Sequence, residues 1–122
     1  MGSTAYLVDP DPDERKQIQT ILSPTVEVVH GLDDAEALLA VLTGREGACL
    51  IVSVEPNEAA ALELVRELRL LGSNIPVIAI GSETAFRTAT EIARLECTDF
   101  LERPLIAHEL RAAVGRACRA ET

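Results

Sequence analysis

The run Cys49-Leu50-Ile51-Val52-Ser53-Val54 is apolar on successive positions, not on alternate ones. A strand with one wet face alternates, so an unbroken run of this length reads as a strand buried on both faces, the signature of the middle of a parallel sheet. Four shorter runs accompany it: Ala5-Tyr6-Leu7-Val8, Val26-Glu27-Val28-Val29, Pro76-Val77-Ile78-Ala79-Ile80 and Thr98-Asp99-Phe100-Leu101. Each is followed by a stretch with helical spacing. The pattern predicts five strands alternating with five helices, with right-handed crossovers and a doubly wound parallel sheet.

The helix signals are local. Asp11-Pro12-Asp13-Glu14 predicts an N-cap at Asp11, proline at the first helical position and a capping box closed by Glu14. Ile18, Ile21 and Leu22 then share a face, and Ser23-Pro24 ends the helix. Asp33-Asp34-Ala35-Glu36 starts a second helix through Leu38, Leu39 and Leu42, stopped by Thr43-Gly44. Glu55-Pro56-Asn57 reads as a loop. Ala60 to Leu71 is a third helix with Gly72 as its C-cap; the fourth runs from about Glu83 to Leu95, the fifth from His108 to Arg119. Residues 1–122 are expected to form a single domain with strand order 2-1-3-4-5, the flavodoxin-like arrangement.

Composition fits that architecture and excludes other classes. Nearly half of the 122 residues are apolar, but Tyr6, Phe86 and Phe100 are the only aromatics, so the core is aliphatic. The formal net charge of −9 repels a phosphate backbone, which speaks against direct nucleic-acid binding. Cys49, Cys97 and Cys118 show no metal spacing and read as free thiols in a reducing cytoplasm. No signal peptide is evident, and no apolar run approaches the ~20 residues of a membrane span. The expectation is a soluble cytoplasmic protein.

In a sheet of this order the functional crevice lies at the carboxyl ends of the strands, near the switch point between strands one and three. It is bordered here by Asp9, Pro10 and Asp11, by Ser53 to Asn57, by Gly81 and Ser82, and by Glu102 to Pro104. The acidic, glycine-free Asp9-Pro10-Asp11-Pro12 turn is no phosphate-cradling loop, which argues against a flavodoxin-like small-molecule or enzyme domain.

Three segments in order, Leu7-Val8-Asp9-Pro10-Asp11-Pro12-Asp13, Ile75-Pro76-Val77-Ile78-Ala79-Ile80 and Asp99-Phe100-Leu101-Glu102-Arg103-Pro104-Leu105, resemble the receiver domain of bacterial response regulators over essentially the whole chain. That family's phosphotransfer needs two acidic residues after strand one to help hold Mg2+, an aspartate ending strand three as phosphoacceptor, a Ser or Thr ending strand four and a Lys after strand five. The resemblance places Asp9 at the first acidic position and Pro10 at the second. It places Ser53 at the acceptor, Gly81 at the hydroxyl and Arg103 at the lysine. No aspartate lies between Asp34 and Asp99 and no lysine follows Lys16, so no shift of register restores the missing groups.

The implied protein is a degenerate, pseudo-receiver domain of a two-component phosphorelay that is not an enzyme. Its binding of Mg2+ is weak or lost, because that ion demands several well-placed oxygens; Asp9 and Asp11 are the only weak metal candidates, and Asp11 reads first as a helix cap. Ser53 reads as a small polar strand end, since a hydroxyl without an activating base is a poor nucleophile. Arg103 is expected to pair with Asp9 or Glu55, standing in for metal and phosphate, although Glu55 reads first as an exposed loop charge. His30 and His108 read as surface or capping residues. Phe100, at the family's aromatic switch position, is expected to be fixed. The face of helix four, strand five and helix five (Phe86, Arg87, Thr90, Arg94, Asp99, Arg111 and Arg116) is the surface through which the resemblance implies a protein partner, an output domain or a second copy. The rival function is a receiver phosphorylated at a non-standard residue. No output segment is visible after Arg119.

Overall fold

In a computed structural model of the chain, residues 3–23, 25–30, 35–42, 48–82, 86–95 and 99–120 are described. The elements are β1 (Ser3–Val8), α1 (Pro12–Leu22), β2 (Val26–His30), α2 (Ala35–Leu42), β3 (Ala48–Ser53), α3 (Glu58–Leu70), β4 (Val77–Gly81), α4 (Phe86–Ala93), β5 (Asp99–Glu102) and α5 (Ala107–Ala120). The strands form one parallel sheet in the order β2-β1-β3-β4-β5, as the sequence predicts. The register is regular: Leu7 lies beside Ile51, Ile51 beside Ile78, and Gly81 beside Glu102.

Every residue of β3 is buried because both faces of the sheet are covered. Alternate side chains divide the core in two. Tyr6, Leu50, Val52, Val77 and Ala79 pack under Leu38, Leu64, Leu68 and Ile92 of α2, α3 and α4. Ala5, Leu7, Ile51, Ile78 and Ile80 pack under Ile18, Leu22, Leu110 and Val114 of α1 and α5. Cys49 and Cys118 are buried inside this second layer.

The element ends refine the sequence reading. Helix α3 begins earlier than expected because Asn57 caps it, its side-chain oxygen accepting from the Ala60 N–H at 3.1 Å. The C-cap is Leu71, not Gly72; Gly72 follows it at φ +91°, where a glycine is needed. The Gly72 N–H donates to the Arg69 carbonyl at 3.1 Å and the Ser73 N–H to the Leu68 carbonyl at 2.9 Å, a Schellman closure. The predicted starts at Asp33 and Glu83 and the stop at Thr43-Gly44 lie outside the described residues.

Candidate functional site

β1 delivers Asp9 to the carboxyl end of the sheet, where it is 6% exposed. Its Oδ1 accepts the Asp11 N–H at 2.9 Å, and its carbonyl accepts from Arg15 Nη1 at 2.8 Å. Asp11 is the N-cap of α1, as expected, accepting the Asp13 N–H at 2.9 Å. The capping box does not close: the Asp11 N–H is spent on Asp9, and Glu14 points elsewhere.

Glu14 is almost buried, and it meets Arg103. Arg103 Nε donates to Glu14 Oε2 at 2.9 Å and Nη2 to Oε1 at 2.8 Å. The same guanidinium donates through Nη1 to Glu55 Oε1 at 2.9 Å and through Nη2 to Ser53 Oγ at 2.6 Å. The Ser53 hydroxyl in turn donates to the Glu55 carbonyl at 2.8 Å. Glu55 also takes the Ser82 N–H at 2.7 Å and the Ser82 hydroxyl at 2.6 Å. One cation thus ties together the chain leaving β1, β3, β4 and β5. The expected partnership of Arg103 with Glu55 is present. No hydrogen bond joins Arg103 to Asp9; Glu14 takes that place.

Arg103 sets the charge states around it. Its hydrogen bonds hold the Glu14 carboxyl below the usual range despite burial, and the bridge raises the already high Arg103 value. Asp9 goes the other way. Burial, helped by the neighbouring Glu14, pushes its carboxyl up to about 7. Asp9 Oδ2 is buried and finds no donor among the described residues.

The remaining predicted residues are placed as follows. Pro10 is exposed beside Asp9 and offers no polar side chain. Gly81 closes β4, and the hydroxyl there is one residue on, at Ser82, turned onto Glu55. Phe100 is half-buried against the α2, α3 and α4 layer. Asp99 pairs with Arg116 at 2.6 Å, and Arg111 reaches the Ile21 carbonyl at 3.4 Å. Arg87, Thr90 and Arg94 are exposed on or just after α4; the Phe86 side chain lies outside the described set. His30 and His108 are exposed.

Sequence reasoning missed Glu14 as part of the site; it set Ser82 and Asn57 on the crevice border without their roles, Ser82 on Glu55 and Asn57 as the cap of α3. A signal existed for Glu14: Glu14, Ile18 and Leu22 recur every four residues, which sets a carboxylate on the buried stripe of α1. Beside the network lies a cavity of about 540 Å3 between β1, β3 and the start of α3, lined by Leu7, Asp9, Val52, Ala60, Ala61 and Leu64 among others.

Fold and site define a flavodoxin-like α/β domain whose polar residues gather at the carboxyl ends of its strands. The family model described as "Response regulator receiver domain" matches residues 5–115, and the chain belongs to that family. It is 27% identical over 93% of its length to the transcriptional regulatory protein FixJ of Bradyrhizobium diazoefficiens, covering 56% of that relative. It is 25% identical over 97% of its length to the response regulator protein TodT of Pseudomonas putida, covering 52%. The chain therefore spans about half the length of these curated relatives. The crystal structure of a response regulator receiver protein from Pseudoalteromonas atlantica superposes with a TM-score of 0.79, at 26% identity over 98% of this chain and 99% of that one. Full-length FixJ from B. japonicum gives 0.82 at 27% identity, over 98% of this chain and 59% of that one. Among the described residues, no helix is long and apolar enough to cross a membrane.

Proposed function

We propose that this receiver domain signals without aspartyl phosphorylation, as a pseudo-receiver that catalyses no phosphoryl transfer and works through protein contacts. The observation that carries the reading is Arg103: its guanidinium is engaged at once by Ser53, Glu14 and Glu55. A permanent cation with five directed donors takes up the crevice where the family's chemistry needs a metal, a carboxylate nucleophile and a mobile lysine. Ser53 has its proton committed to a carbonyl and its lone pair to Arg103, so no neighbouring base activates it.

The donors present do not fit Mg2+. Pro10 brings no carboxylate, Ser53 is a neutral hydroxyl, and Asp9 is held toward its protonated form. Arg103 adds positive charge where a dication would need to sit, and no three acidic, His or Cys groups cluster for a metal among the described residues.

The partner is a protein. Relatives are described as transcriptional regulators, and this chain covers 56% of FixJ and 24% of the NtrC of Rhizobium meliloti, which supports a role as the regulatory part of a longer regulator or beside a separate output protein. The exposed Arg87, Thr90 and Arg94, with Phe100 and Asp99 of β5, supply the docking or dimer face, in the cytoplasm, while Arg111 reaches toward the Ile21 carbonyl of α1.

Incubation with acetyl phosphate and Mg2+, followed by intact mass, tests the reading, together with amide spectra recorded with beryllofluoride. Unchanged mass and unmoved Ser53 amides are expected. One added phosphoryl group would make the chain a receiver phosphorylated at a non-standard residue and end this proposal.

A further inference from the structure

The segment that joins β3 to α3 carries two carboxylates, Glu55 and Glu58, on either side of Pro56-Asn57. Asn57 caps α3, which fixes the turn between them. The chain that leaves β4 answers with two hydroxyls. Ser82 follows Gly81, the last residue of β4, and Thr88 lies in the first turn of α4.

Each carboxylate takes one of these hydroxyls. Ser82 Oγ donates to Glu55 Oε2 at 2.6 Å and the Ser82 N–H to Glu55 Oε1 at 2.7 Å. Thr88 Oγ1 donates to Glu58 Oε1 at 2.6 Å. The oxygen–oxygen distances fit hydroxyl-to-carboxylate bonds, about 2.5–2.7 Å, which are stronger than neutral ones. Arg103 Nη1 backs Glu55 at 2.9 Å. The far end of α4 is held from α3 as well: Arg69 Nε donates to the Leu95 carbonyl at 2.7 Å. An acid thus stands at the start of α4 and a base at its end, the arrangement that the helix dipole favours. Between these bonds Ile92 is buried in the same layer as Leu64 and Leu68 of α3, with Phe100 packed against it.

We propose that Glu55 and Glu58 form an internal clasp that holds α4 in one position, so that the docking face on α4 and β5 is permanently set and a partner binds it with no event in the crevice. Both are positioning residues. They reach the entry to α4 from the β3–α3 junction and leave Arg87, Thr90 and Arg94 exposed to a partner. A face that switches needs an element with two arrangements close in energy. Here the anion that Ser82 and Arg103 bind belongs to the chain itself and cannot leave. The inference rests on the reading that the crevice takes no phosphoryl group and that the domain works through protein contacts.

Amide spectra of the 122-residue chain test the clasp. Glu55→Ala should move the amides of Ser82, Arg87, Thr90 and Arg94. Acetate matches the fragment that this substitution removes, so it should return them saturably toward their wild-type positions, while chloride at equal ionic strength should not. Thr88→Val breaks the Glu58 bond and leaves the Arg103 network intact. It should move Ser82 and Arg94, on either side of the substitution, and acetate should not restore them. The wild type should show no microsecond-to-millisecond exchange in α4, and the double variant should show it. Shifts confined to residues 53–57 in Glu55→Ala, acetate acting no differently from chloride, unmoved Ser82 and Arg94 in Thr88→Val, or exchange in wild-type α4 overturns the proposal. Separate samples are treated with acetyl phosphate and Mg2+. Any of those outcomes with unchanged mass removes this inference alone; a phosphoryl adduct that frees Ser82 from Glu55 removes the pseudo-receiver reading as well.

Discussion

Glu14 and Arg103 stand 89 residues apart in the chain and meet fork to fork, both carboxylate oxygens paired with guanidinium N–H groups at 2.9 and 2.8 Å. The pair joins the first turn of α1 to the segment leaving β5, on opposite sides of β3. Planar bidentate geometry makes this the strong kind of ion pair. Its burial makes the loss of one partner costly.

Removing the cation should therefore destabilise the fold. Arg103→Ala leaves Glu14 nearly buried and unpaired, and Glu55 with one partner fewer. The Arg103 side chain is 27% exposed, so the cost expected is about 2–3 kcal/mol, below that of a fully buried pair. Glu14→Gln should cost less, because an amide oxygen still accepts from Arg103. Urea denaturation of both single variants and the double variant gives the coupling. Unchanged stability of Arg103→Ala would show that the bridge contributes nothing.

Arg103→Lys tests geometry apart from charge. One ammonium cannot reproduce the fork on Glu14 while also reaching Glu55 Oε1 and Ser53 Oγ. The lysine variant should recover less than half of the stability lost in the alanine variant, read from the same denaturation midpoints. Full recovery would mean that net charge alone matters at this position.

Asp9 should give the stability profile an unusual slope. Its carboxyl is raised from an ordinary 3.8 to about 7 in the folded chain. The folded state thus binds this proton more tightly than the unfolded one. The stabilisation is fully present below about pH 4 and is lost as pH rises through about 7, on the order of a few kcal/mol in all. Glu14, held below its ordinary 4.5, acts oppositely and loses its contribution only in acid below that value. Denaturation at a series of pH values should show stability falling between pH 4 and 7 in the wild type and a flatter profile in Asp9→Asn. Parallel profiles would rule out a raised Asp9.

The fold was legible because its determinants are local and repetitive. The unbroken apolar run of β3 and the alternation of strands with amphipathic helices fix the class without reference to distant contacts. The site was legible in part. Asp11 as a cap is a short-range hydrogen bond, readable from Asp-Pro-Asp. Arg103 with Glu55 could be guessed from position at neighbouring strand ends. Glu14 could not be placed from capping rules, because a second acceptor, Asp9, took the Asp11 N–H and left Glu14 free for Arg103. Ser82 was hidden for a related reason: its role depends on where the β3–α3 loop carries Glu55, which no local pattern encodes.

The two helix ends permit a cleaner measurement. A Cβ at Gly72 would meet nothing within 4 Å, so the cost of Gly72→Ala comes from φ +91° alone. About 1 kcal/mol of destabilisation is expected. Asp11→Ala removes the acceptor for the Asp13 N–H and should cost a similar amount, ~1 kcal/mol, with no change at Arg103. Thermal melts of the two single variants and their combination should be additive, since the helices they end are far apart in the chain and share no partner.

Ser53→Asp restores the carboxylate at the end of β3, and it should still not create a phosphoacceptor. The Ser53 oxygen already lies 2.6 Å from Arg103 Nη2, so a new carboxylate there is captured by the guanidinium in an ion pair and not presented to a phosphoryl donor. It also becomes a fourth acidic group beside Asp9, Glu14 and Glu55, which raises Asp9 further and leaves Pro10 no better as a ligand. Gly81 still provides no hydroxyl, and the one at Ser82 is held by Glu55. Charge neutralisation of a transferring phosphoryl group needs all of these groups positioned together, so one restored member recovers little. Acetyl phosphate with Mg2+ should leave the intact mass of Ser53→Asp unchanged over hours. A stoichiometric phosphoryl adduct on this single variant would mean that the Arg103 network yields readily and that the crevice has kept the family's chemistry apart from its nucleophile.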